Sequence, residues 1–82
     1  MKPNILKALA DETRLELLRK ISRGEICACE LPAHLGVSQP AVSQHLKVLS
    51  EAGLVKKRRE GTKRIYSLSR KGAKVLNDVL RW

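Results

Sequence analysis

Phenylalanine is absent from this sequence, and Tyr66 and Trp82 are its only aromatic residues. Recognition by stacking bases on aromatic platforms, the habit of many single-strand and RNA binders, therefore lacks its parts. Cysteine is nearly as scarce. Cys27 and Cys29 are the whole complement, and a bridge between residues two apart closes almost no loop, so it cannot staple a fold. These thiols are chemical or incidental rather than structural. No apolar run approaches the roughly 18 residues of a membrane span, and the N-terminus lacks the long apolar segment of a secretory signal. That pattern predicts a soluble, cytoplasmic protein with no membrane partner.

Negative charge is also in short supply. Eight Asp and Glu face 17 Lys and Arg, which leaves a formal charge of +9. The excess is clustered, with Lys56, Lys57, Arg58, Arg59, Lys63 and Arg64 gathered around a single acid, Glu60. Such clustering suits phosphate binding better than general solubility. The 82 residues make one domain, 1–82, that buries only about 60 to 65% of its unfolded surface, so a dimer interface would help it.

The pattern of caps and apolar positions predicts a mainly α fold with a small β element. Pro3 and Asn4 signal a short first helix through Ile5, Leu6 and Leu9. Asp11 caps a second that carries Leu15, Leu18 and Ile21, and Gly24 ends it. Glu16 and Lys20 form an i,i+4 surface pair on that helix. Leu31 and Leu35 give an inward face to a third helix, Gly36 permits a sharp turn, and Val37 plugs the corner. Ser38 then caps a fourth helix with Pro40 in its first turn, which is helix-turn-helix grammar. Val42, Leu46 and Leu49 form the buried stripe of this helix, and Pro40, Ser43, Gln44 and Lys47 project on the other side. After Gly53 the runs "LVKKRR" and "KRIYSL" read as a two-stranded hairpin around Gly61, with Tyr66 and Leu68 facing the helices. Ser69 caps a last helix whose Val75, Leu76, Val79 and Leu80 either pack on their own domain or belong to a dimer interface.

In this order "ALADETRLELL", the C-x-C-E-L opening, "LGVSQPAVSQHLKVLSEAGLV" and "REGTKRIYSLS" resemble the ArsR (ArsR/SmtB) family of bacterial and archaeal repressors over nearly the whole chain, and within it the arsenic-responsive branch. The resemblance implies a winged helix-turn-helix of about five helices with a two-stranded wing, acting as a homodimeric repressor on double-stranded DNA. It also implies a wing that lies along the DNA backbone or in the minor groove.

The residues support DNA binding independently. Gln39 and Gln44 are the candidates for base reading, because a carboxamide can bind adenine bidentately in the major groove. Ser38, Ser43 and Lys47 suit phosphates, as do Arg58, Arg59, Lys63 and Arg64 on the hairpin. A two-fold dimer, built on Ile5, Leu6, Leu9, Val75, Leu76, Val79 and Leu80, would select an imperfect inverted repeat with half-sites about one helical turn apart.

Arsenic-responsive members carry "C-V-C-D-L-C" where this chain has Cys27 and Cys29, and their thiolates bind trivalent arsenic or antimony. Two of the three thiols match, and the third position is Pro32. Two thiolates with an external ligand would still hold a soft ion as effector, with no obligatory cofactor. In a regular helix, residues two apart point about 200° away from each other, so these thiols converge only outside one. Pro32 favours a late helix start. Ion binding would reshape the segment feeding Leu31, Leu35 and Gly36 and so disturb the recognition helix. The same thiols equally suit a redox switch, or Cys27 is a cap or semi-buried small residue while Cys29 packs inward. His34 pairs with Glu30, and His45 is packed or phosphate-bonded, since neither has partners at a metal-ligand spacing. The last helix, with Asp78 alone, lacks the zinc pattern of other relatives. No catalytic base or C-x-x-C motif is present, so an enzyme is not expected. An architectural DNA binder without effector is the remaining alternative.

Overall fold

The structure, a computed structural model, describes residues 5–80. The Pro3 and Asn4 start signal, Trp82 and the Leu80 side chain lie outside the described part. Among the described residues the chain forms α1 (Ile5–Leu9), α2 (Glu12–Ser22), β1 (Ile26–Cys27), a 3-10 turn (Ala28–Glu30), α3 (Leu31–Leu35), α4 (Gln39–Glu51), β2 (Val55–Glu60), β3 (Lys63–Leu68) and α5 (Arg70–Leu80).

Short polar side chains set the helix starts. Asp11 Oδ1 accepts the Arg14 amide at 3.1 Å, Ser38 Oγ accepts the Ala41 amide at 3.2 Å, and Ser69 Oγ accepts the Gly72 amide at 2.8 Å. Each fills one of the orphan donors of a first turn. Gly36 takes φ 66° and its amide donates to the Pro32 carbonyl at 2.9 Å, which closes α3 in the left-handed conformation that glycine adopts without penalty. The helix-turn-helix corner is therefore built as its residues predict.

The helices pack around Leu17, Leu18, Ile21, Leu31, Val42, Leu46, Leu49 and Leu54, all essentially inaccessible. The stripe of α4 faces this core. On α2 the buried set shifts, because Leu17 is fully buried and Leu15 only partly so. Leu76 belongs to the same core and Val75 packs against it, so this half of the last-helix stripe serves its own domain. Gly72 is buried where a methyl group would run into the Leu54 carbonyl oxygen. That close approach seats α5 on the start of the wing.

The expected two-stranded hairpin forms from β2 and β3. A third strand joins it, and the antiparallel sheet has the order β1-β3-β2. Ile26 pairs with Tyr66 and Cys27 with Ile65, while Arg58 pairs with Ile65 from the other side and Arg59 with Arg64. Cys27, Ile65 and Arg58 thus form one row across three strands. A two-residue strand carries no alternation, so nothing in its sequence separated it from the helix opening.

Two expected surface pairs do not form. The ion pairs among the described residues both involve Arg58; Glu16 with Lys20, and Glu30 with His34, make none. Exposed i,i+4 charges gain too little to hold two long side chains in one geometry.

Candidate nucleic-acid interface and thiol pair

The cap Ser38 and, on α4, Gln39, Pro40, Ser43, Gln44 and Lys47 are all exposed. Residues 39, 40, 43, 44 and 47 follow helical spacing along one side, so two carboxamides, a hydroxyl and an ammonium share a face. Opposite this face, α4 is locked to the body by His45. Arg14 Nη1 lies 3.3 Å from His45 Nδ1, and the same guanidinium donates from Nε to the Ala8 carbonyl at 2.7 Å and from Nη2 to the Lys7 carbonyl at 3.0 Å. One side chain thereby ties α1, α2 and α4 together. His45 is a packed imidazole, and no sequence period advertised its partner.

On the wing, Arg58, Arg59, Lys63 and Arg64 are exposed, but the structure divides them. Arg59 and Arg64 face each other directly across the strands, and like charges so placed destabilise a sheet. Arg58 is engaged within the molecule. Its Nη2 and Nε donate to the Glu25 carboxylate at 2.8 and 3.3 Å, and its Nη1 donates to Glu60 at 2.5 Å. These contacts, that with Glu25 first, raise the guanidinium further above its ordinary range. In return the hydrogen bond from Arg58, and then its charge, holds the Glu25 carboxyl below the usual carboxylate range. Both side chains remain half exposed, at 50 and 51%.

Glu25 leads into the thiol pair. Cys27 ends β1, is 7% exposed, and caps the 3-10 turn by accepting the Cys29 amide on Sγ at 3.3 Å. Cys29 is exposed rather than packed inward. The sulfurs of Cys27 and Cys29 are bonded to each other, with Cα atoms 5.2 Å apart. They converge because both precede α3, whose start is deferred to Leu31 while the Leu31 amide bonds the Ala28 carbonyl. Pro32 sits in the first turn of α3, where its missing N–H costs nothing.

A cavity of about 470 Å³ opens between these elements, lined by Cys29, Gln39, Ser43, Lys63, Arg64 and Tyr66 among others. The structure thus brings together the thiol pair, two residues of the α4 face and two wing cations. Pro40, Gln44, Lys47, Arg58 and Arg59 lie outside its lining. Glu25, which no motif singled out, adjoins the thiol pair, and Tyr66, read from the sequence only as a helix-facing strand residue, lines the cavity. Among the described residues no group of three His, Cys, Asp or Glu side chains could hold a metal, so the soft donor set consists of two sulfurs. No helix among them is long and apolar enough to cross a membrane.

Among the described residues, Leu6 is the large apolar side chain left open, 76% exposed. Ile5, Leu9 and Val79 are partly buried, and α1 and α5 both pack on α2.

Residues 11–57 match the family model described as "Bacterial regulatory protein, arsR family". The arsenical resistance operon repressor of Staphylococcus aureus is 43% identical over 77 residues, covering 94% of this chain and 71% of that protein. Among solved structures, reduced HlyU from Vibrio cholerae superposes with a TM-score of 0.83 at 37% identity, covering 94% of this chain and 82% of that one. The homodimeric winged helix-turn-helix DNA-binding domain of Mb0332 from Mycobacterium bovis gives a TM-score of 0.84 at 32% identity, covering 90 and 69%. With the exposed polar face of α4, the wing and these relatives in agreement, the chain belongs to the arsR family of bacterial regulatory proteins and is a winged helix-turn-helix transcriptional regulator.

Proposed function

We propose that this regulator is a homodimeric repressor that reads an imperfect inverted repeat in double-stranded DNA and is released through its Cys27 and Cys29 pair. The observation that carries the reading is the cavity in which the thiol pair, the α4 face and the wing cations meet. Gln39 and Gln44 read bases in the major groove, Ser38, Ser43 and Lys47 hold phosphates beside them, and Arg59, Lys63 and Arg64 extend the contact along the wing. Pro40 starts the helix that presents them. The like-charged Arg59 and Arg64 pair is a cost in the free protein that an anionic partner would relieve. Leu6 with Ile5, Leu9 and Val79 supplies the dimer contact, supported by the exposure of Leu6 and by the homodimeric relative from Mycobacterium bovis.

For the effector, the reduced dithiol takes a thiophilic ion of the trivalent arsenic or antimony kind. The relative from Staphylococcus aureus, by its name an arsenical resistance repressor, supports this choice. Two sulfurs that already converge fit a soft ion, with its remaining position filled from outside. Because Cys27 is bonded into the sheet beside Ile65, a ligand that rearranges the pair acts on the wing as well as on the turn leading to α4. A second reading is favoured by one observation, the bond between the sulfurs: oxidation itself is the signal and needs no ion.

The test is to select duplexes from a random pool, footprint the winner, and titrate the complex with trivalent arsenic, antimony and peroxide. One protected inverted repeat is expected, released by arsenic in the wild type and not in Cys27→Ser, Cys29→Ser. Uniform protection would instead identify an architectural DNA binder, and release by peroxide alone would identify the redox switch.

A further inference from the structure

The 470 Å³ cavity beside the thiols falls in the size range of small-molecule sites, about 300 to 1,000 Å³, and its electrostatics specify a ligand. Among the described residues its charged lining is Lys63 and Arg64, with no acidic side chain. The wing's own carboxylate, Glu60, is outside that lining and is engaged by Arg58. One wall is the bonded Cys27 and Cys29 pair, with Cys29 exposed and Cys27 buried.

We propose that this cavity docks a low-molecular-weight thiol bearing carboxylates, of tripeptide size, which forms a mixed disulfide with Cys29. The carboxylates lie against Lys63 and Arg64, and the thiolate attacks Cys29 Sγ. The bond between Cys27 and Cys29 breaks, its electron pair leaves on Cys27 Sγ, and a new sulfur–sulfur bond joins the ligand to Cys29. The thiol's proton goes to solvent, and no other oxidant or reductant takes part. Direction follows from the structure, since Cys29 is the accessible sulfur and Cys27 Sγ already accepts the Cys29 amide, a hydrogen bond that stabilises the departing thiolate. The adduct fills the space between Gln39, Ser43 and the wing, so it blocks the surface proposed for DNA. This deepens the reading of the thiol pair as the effector element and rests on it only for the effect on DNA, because the adduct chemistry needs no DNA.

The test uses the protein in its bonded form without DNA, exposed to glutathione or to the cationic thiol cysteamine at equal thiolate concentration. The reaction is quenched by alkylation and the adduct located by fragmentation mass spectrometry. An adduct on Cys29 that forms about tenfold faster with glutathione is expected, in line with steering by local charge. In Lys63→Gln, Arg64→Gln the two rates should become equal. An adduct on Cys27, equal rates in the wild type, or an undiminished preference in the double variant overturns the proposal. Should bonded protein be hard to prepare, Cys27→Ser treated with oxidised glutathione must retain a stable Cys29 adduct, and its absence is equally decisive. Failure to select an operator would sink the repressor reading and leave these results untouched.

Discussion

Arg58 on the wing reaches Glu25 across the central strand, through a fork of hydrogen bonds at 2.8 and 3.3 Å that spans 33 residues of sequence. The cation that its neighbours group with the phosphate contacts is, in the free protein, also tied to the segment entering the thiol pair.

This separates the wing residues by a salt titration. Replacing Lys63 or Arg64 with Gln should flatten the dependence of log K on log salt by about 0.9 each, the slope that one neutralised phosphate supplies. Arg58→Gln should leave the slope close to that of the wild type. A decrease of the same size at Arg58 would show that DNA pulls the guanidinium away from Glu25.

The same contact predicts a pH dependence. Arg58 keeps the Glu25 carboxyl below its ordinary range, so its stabilising contribution is present above the unfolded-state value and disappears as pH falls through the folded one. Wild type should therefore exceed Glu25→Gln in stability at neutral pH, by a small margin because the pair is exposed. The two denaturation curves should merge in acid below the carboxylate range. A difference that persists there would assign the effect to packing instead.

Gly72→Ala tests the seat of α5. In an ordinary helix this change stabilises, but here the added methyl meets the Leu54 carbonyl, which also accepts the Ser69 amide at 3.1 Å. Overpacking of this kind costs about 1 to 3 kcal/mol, read as a lower urea midpoint. A neutral or stabilising result would mean that α5 shifts freely on the wing.

Arg14 predicts coupling rather than simple loss. Its guanidinium reaches Ala8, Lys7 and His45, so Arg14→Ala should destabilise by about 1.5 to 3 kcal/mol, as for hydrogen bonds from a charged group. A double-mutant cycle with His45→Ala should give an interaction of at least about 0.5 kcal/mol, the usual threshold for residues in contact. Strict additivity would show that the two side chains merely lie near each other.

Ser38→Ala should cost about 1 kcal/mol for removal of the cap and weaken DNA binding beyond that amount if Ser38 also holds a phosphate. Comparing thermal stability with the affinity of the folded fraction separates the two roles.

Much of this architecture is legible in the sequence, and the reason is local chemistry. Asp11, Gly36, Ser38 and Ser69 act on backbone groups within three or four residues, so a short window contains both cause and effect. Val42, Leu46 and Leu49 likewise reveal their face through spacing alone. What escapes is nonlocal or too short to have a period. Ile26 and Cys27 become a strand only because β3 is there to pair with them. Glu25 finds Arg58, and Arg14 finds His45, through the fold. Leu17 is buried beside Leu18 because α2 touches α3, α4 and α5 as well as the sheet, so its apolar band is wider than one stripe. Gly72 is readable as a helix cost, yet the carbonyl that demands it belongs to Leu54.

The central position of β3 has a practical corollary for engineering. Wings are attractive units to exchange between related regulators, since a hairpin is a short continuous segment whose ends lie close together. In this molecule such a graft, cut at Val55 and Leu68, would sever Ile65 and Tyr66 from the strand that carries Cys27. A transplant that preserves the three-stranded sheet must therefore take residues 25–29 with it, and a hybrid lacking them loses the pairing that ties the wing to Cys27.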